Sequence, residues 1–146
     1  MINGIGMNNK EKQSKYALLM KKLDIATKEE FYFEAILIEY AILEDRFASI
    51  LKHANKNIPQ GLQKKINTVL KCQFLNEEKI KKHLTKRLIN DIEQWKSDRN
   101  EVIHNLIETT YNNKEIKDIA LRGECLAKRL ANKSTLINKY LDKMKE

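Results

Sequence analysis

An arginine, an asparagine and a histidine within Trp95 to Leu106, WKSDRNEVIHNL, are the residues of this chain best suited to chemistry. Arg99 offers a permanent positive charge and a planar fork of N–H donors that matches a phosphate. Asn100 beside it can donate and accept hydrogen bonds. His104, five positions beyond Arg99, can take up or release a proton near neutral pH. Together they supply groups for phosphate binding, charge stabilisation and proton transfer. Neither a metal nor a cofactor is expected, because no His, Cys, Asp and Glu cluster has ligand spacing.

The helix that carries these residues is ambiguous. Leu84, Leu88, Ile92, Trp95, Arg99, Val102 and Leu106 follow one another at steps of three or four, the spacing of one buried stripe. On a continuous helix Arg99 would point into the core, where an ion pair with Glu39 or Glu44 of an earlier apolar helix could hold it. Alternatively, Asp98 and Glu101 form a capping box, which ends the Trp95 helix near Lys96 and starts a new one at Asp98. That break moves Arg99 off the stripe and sets it beside the free N–H groups of a helix start, a ready phosphate site. Asn100, His104 and Glu108 share a face at steps of four, so Asn100 or Glu108 can fix the imidazole tautomer.

Across the whole chain Leu, Ile, Lys, Glu and Asn dominate, with one proline and four glycines among 146 residues. This is a helical composition, and the length suits one domain with a real core. The reading is an all-α antiparallel bundle of five to six helices, with residues 1–8 a flexible N-terminus and 9–146 one domain. No apolar run approaches the ~18–20 residues of a membrane span, and the first residues lack a signal-peptide centre, so no membrane partner and a cytoplasmic location are expected. Cys72 and Cys125 read as buried thiols, His53 and His83 as exposed, and Trp95 as core or interface.

The net charge is +8, and the excess is concentrated. Twelve of the 28 basic side chains fall in residues 51–100, against five acids. Such a field attracts polyanions, so a nucleic-acid partner is expected, with Lys81, Lys82, Lys86 and Lys96 as its candidate contacts.

The elements that must position all this are legible as amphipathic patterns. A first helix runs from Asn9 to Ile25. Thr27 and Glu30 then form a capping box for a central helix with Phe33, Ile36, Leu37, Tyr40, Leu43, Phe47, Ile50 and Leu51 on one face. The segment Asn57 to Gly61, containing Pro59, breaks it. A short helix on Leu62, Ile66, Val69 and Leu70 follows. Asn76 is the expected cap of a fourth helix reaching Trp95, and Asn112 with Glu115 that of a long last one. Gly123 within that last helix implies a close approach or a bend.

Arg-Asn-x-x-x-His, preceded by a tryptophan late in an all-helical chain with a long apolar second helix, resembles the HEPN superfamily (higher eukaryotes and prokaryotes nucleotide-binding). The resemblance implies a metal-independent endoribonuclease of toxin–antitoxin or phage-defence type that cleaves RNA through its own 2′-hydroxyl. It assigns His104 to proton transfer, Arg99 to the scissile phosphate, Asn100 to positioning, and Glu39 or Glu44 to support. It further implies a homodimer and a possible antitoxin protein. The nucleotidyltransferase-paired branch carries a tyrosine two positions after the histidine, whereas this chain has Leu106. Helix geometry also favours a dimer, since Arg99 and His104 lie about 140° apart around one axis. Contacts near residues 95–108, with Trp95 and Ile103 as apolar contributors, would bring the groups of two chains together. Two other readings keep the same fold: a catalytically silent nucleic-acid- or protein-binding bundle, and a plain helical interaction module.

Overall fold

A computed structural model describes residues 9–105 and 113–145. Among them are six α-helices and no strand: α1 (Asn9–Lys28), α2 (Tyr32–His53), α3 (Leu62–Leu70), α4 (Glu78–Lys81), α5 (Lys86–Asn105) and α6 (Asn113–Met144), with a 3-10 turn at Gln73–Asn76. The central pair is α2 and α6. They run parallel, as shown by Glu39 against Gly123 and Ser49 hydrogen-bonded to Asn138. Around them α1 and α5 run the opposite way, with Arg46 stacked on Tyr16 between α2 and α1 and Asp98 paired with Arg122 between α5 and α6.

The core follows the apolar stripes. Ile36, Leu43, Phe47, Ile50 and Leu51 of α2 are fully buried, and so are Leu62, Ile66 and Val69 of α3, Trp95 of α5 and Leu130 and Ile137 of α6. Two members of the expected stripes stay outside: Leu37 and Leu70 are exposed, as is Phe31 just ahead of α2. No helix among the described residues is long and apolar enough to cross a membrane.

Three helix boundaries differ from the sequence expectation. Thr27 does not cap α2 but lies inside α1, which closes with Phe31 N–H on the Ala26 carbonyl at 2.8 Å and Glu30 N–H on the Thr27 carbonyl at 3.2 Å. This is a Schellman closure, and it puts Glu30 in the left-handed region at φ 61°. The helix expected from Asn76 is divided: after α4 the chain turns at Lys82 to Leu84, and Thr85 caps α5 by accepting the Leu88 N–H at 3.1 Å. Most relevant to the motif, no break occurs at Asp98. The helix is continuous to Asn105, because Asp98 spends its carboxylate on Gln94 Nε2 at 3.0 Å and on Arg122 of α6 and not on the N–H groups behind it. The Asn112 cap, Leu106 and Glu108 lie outside the described residues.

Cys125 is exposed and only Cys72 is buried, so the pair of buried thiols is half right. His53 is not free in solvent either: its Nδ1 lies 2.7 Å from Asp142 of α6. His83 is half-buried, with Nδ1 shut away from solvent.

Candidate functional site around Arg99

Continuity of α5 should have driven Arg99 into the core, but α2 supplies what it needs. The guanidinium lies over the Tyr40 ring, 3.9 Å from its centroid. One turn further along α2 is Glu44, whose negative charge, with Tyr40, offsets part of the burial that lowers the Arg99 pKa. Arg99 makes no ion pair with any described carboxylate. Glu44 is already occupied, since its Oε2 accepts from Lys65 Nζ at 2.9 Å and from the Gly61 N–H at 3.2 Å at the start of α3. Arg99 Nη1 donates to Asn100 Oδ1 at 2.9 Å, and Nε is buried without a partner. The side chain is therefore a half-buried cation that packs on an aromatic face and is paired with no described carboxylate.

Glu39 occupies a different environment. It is fully buried, with neither carboxyl oxygen partnered, and burial followed by the charge of Glu124 pushes its pKa to about 9. It is neutral at pH 7 and forms no pair with Arg99. Its room comes from Gly123, where a Cβ would collide with Glu39 Oε1 and stand 2.7 Å from Trp95 Nε1. The same absence of a side chain lets the indole donate to the Ile119 carbonyl at 2.9 Å. Gly123 is thus the close approach of three helices, and Trp95, wholly buried in one chain, is core and not available to an interface between copies.

His104 is exposed near the end of α5, and Asn100, four residues before it, is on the same exposed side. On the unbroken helix Arg99 and His104 stand about 140° apart around the axis. One chain does not bring them together. Of the basic residues, Lys81, Lys82 and Lys86 are exposed where α4 turns into α5, and Lys96 is half-buried. Lys86 lies thirteen residues from Arg99 along α5, about 20 Å. Among the described residues no group of three or more His, Cys, Asp and Glu side chains is placed to hold a metal ion.

Tyr40 and Lys65 belong to the site without any signal in the sequence that marks them as such. Tyr40 was visible as an aromatic four residues before Glu44 on the α2 stripe, the spacing at which both can face one partner, but nothing local pointed to Arg99 as that partner. Compared with known proteins, the chain matches no family model, no curated protein and no solved structure.

Proposed function

We propose that the chain is a metal-independent endoribonuclease of the toxin or phage-defence kind, HEPN-like in its Arg-Asn-x-x-x-His segment, acting as a homodimer on RNA. The observation that carries this reading is the state of Arg99, a guanidinium stacked on Tyr40, bonded to Asn100 and paired with no described carboxylate. A structural arginine usually ends on an acid, whereas one left as a net cation beside a polar side chain is suited to an anion. In the proposed reaction the RNA 2′-oxygen attacks phosphorus as the bond to the 5′-oxygen breaks. The products are a 2′,3′-cyclic phosphate and a 5′-hydroxyl. Arg99 offsets charge on the phosphate oxygens, and His104 serves the proton transfers. Because the two groups diverge on α5, each pair is drawn from two chains across a two-fold axis.

The test is incubation of the purified protein with mixed RNA, with and without EDTA, followed by mapping of the ends. Cleavage that persists in EDTA and leaves cyclic phosphates is expected; loss on chelation, restored by magnesium, overturns the mechanism. Mixing Arg99→Ala with His104→Ala chains, each inactive alone, should restore partial activity if the pair is composite.

A second reading is a catalytically silent bundle that binds nucleic acid or a partner protein such as an antitoxin. It is favoured by the packing of Arg99 on Tyr40, which also serves the fold. In that case Arg99→Ala lowers stability and no RNA cleavage is found under any condition.

A further inference from the structure

Far from Arg99, α4 and the last turns of α6 enclose a groove of about 380 Å³. Lys79 and Lys82 line it from the α4 side, with His83 following; Lys139, Tyr140 and Lys143 line it from α6. The two lysine pairs are spaced by three and four residues, so each presents both charges on one helical side. None of the four lysines makes an ion pair with a described carboxylate. Glu77 is close by, but it accepts from Tyr140 Oη at 3.4 Å and holds the ring in place. Lys79 Nζ stands 5.5 Å from the centroid of that ring. Burial and then the charges of Lys133 and Lys82 depress the His83 pKa, a further sign of an uncompensated positive field.

We propose that this groove binds single-stranded nucleic acid, with phosphates among Lys79, Lys82, Lys139 and Lys143 and a base against the half-exposed ring of Tyr140. Four lysines with no described carboxylate as partner would alone suit any polyanion. The aromatic ring at their centre narrows the choice, because an unpaired strand offers base faces for stacking while a duplex hides them. A purely acidic polypeptide such as polyglutamate offers charge but no such face. The groove is roughly 30 Å along α6 from Ile119, by ~1.5 Å per residue, so it is a separate anchoring point for a strand and not part of the Arg99 cluster. The inference rests on the nucleic-acid partner proposed above, but not on cleavage.

Binding of a labelled oligouridylate of ~12 nucleotides is measured by anisotropy on the full chain carrying Arg99→Ala, so that affinity is read without turnover. Lys82→Glu/Lys139→Glu/Lys143→Glu should weaken binding at least ~10-fold and reduce the salt slope by about 2, at ~0.7 per phosphate contact on a single strand. Tyr140→Ala should weaken it ~5-fold or more, and Tyr140→Phe, which keeps the ring, should not. The comparison is Lys21→Glu/Lys22→Glu/Lys28→Glu on the exposed side of α1, for which less than a threefold loss is expected; circular dichroism confirms that each variant is folded. Equal losses from the two triple variants, indifference to Tyr140→Ala, or equal affinity for a duplex or for polyglutamate each overturn the groove. Unchanged affinity in the groove variants with cleavage by the parent chain sinks this inference alone. Groove-dependent binding without cleavage sinks only the ribonuclease reading; no binding by any variant sinks the groove, and with no cleavage by the parent chain it sinks both.

Discussion

A carboxyl group with no hydrogen-bond partner sits where α2, α5 and α6 meet. Glu39 tolerates that position by staying protonated, with a pKa raised to about 9 by burial and by Glu124. The consequence for stability has a definite sign. Below pH 4.5 the group is protonated in both states; between 4.5 and about 9 the unfolded chain releases the proton while the folded one keeps it. Stability therefore falls as pH rises through this window, at up to ~1.4 kcal/mol per unit while the two states differ by one proton. Chemical denaturation at pH 5, 7 and 9 should show a loss of a few kcal/mol that Glu39→Gln largely removes. A wild-type slope that survives in Glu39→Gln would place the titrating group elsewhere.

At the level of elements, the same solution appears twice in the bundle. Arg46 of α2 lies 4.3 Å from the Tyr16 ring of α1, and Arg99 of α5 lies 3.9 Å from the Tyr40 ring of α2. In each case an arginine crosses a helix interface on an aromatic face, with its stem adding apolar cover. Arg46 is also paired with Asp45 at 2.7 Å, whereas Arg99 is not paired with a described acid, and that contrast makes Arg99 the functional candidate of the two. The helix ends differ in quality. α2 closes on Asn55 at φ 58°, a residue that adopts the left-handed conformation readily, but α1 closes on Glu30 at φ 61°, which does not. Glu30→Gly should relieve that strain and stabilise the fold by about 0.5–1 kcal/mol, seen as a rise of a few degrees in Tm, while Asn55→Gly should change little. A lower Tm for Glu30→Gly would mean that the side chain contributes more than its 3.4 Å contact with Tyr32 suggests.

For the whole molecule, charge and association are the properties to measure. The proposed dimer can no longer draw on Trp95, which one chain buries completely, so its contacts must come from half-buried Ile103 and the polar side of α5 around Asn100 and His104. Such an interface would be small and polar in its described part, and it would bring two arginines and two histidines near one another. Sedimentation equilibrium should therefore show a dimer that is weaker at low salt and strengthened by phosphate or an RNA strand, because an anion removes repulsion among these cations. A strictly monomeric protein that cleaves RNA overturns the composite site. The lysines add a related point: Lys82 from the basic middle of the chain and Lys139 and Lys143 from its end line one groove, so the field is not confined to residues 51–100.

Much of the fold is determined by sequence. Apolar spacing in α2, α3 and α6, the break around Pro59 and the scarcity of glycine are local properties, and they lead directly to an all-α bundle. The motif Arg99, Asn100 and His104 was legible for the same reason, as residue types at a spacing. Tertiary structure decided what competes with local preference. Capping boxes at Thr27 and Asp98 are worth only about 1 kcal/mol each. Continuing α5 instead buries Val102 and keeps Asp98 on Arg122. Likewise the partner of Arg99 is 59 positions away in sequence at Tyr40, and the proton on Glu39 depends on Trp95 and Gly123 closing over it. Contacts of that range depend on how helices pack, and no periodicity along the chain encodes them.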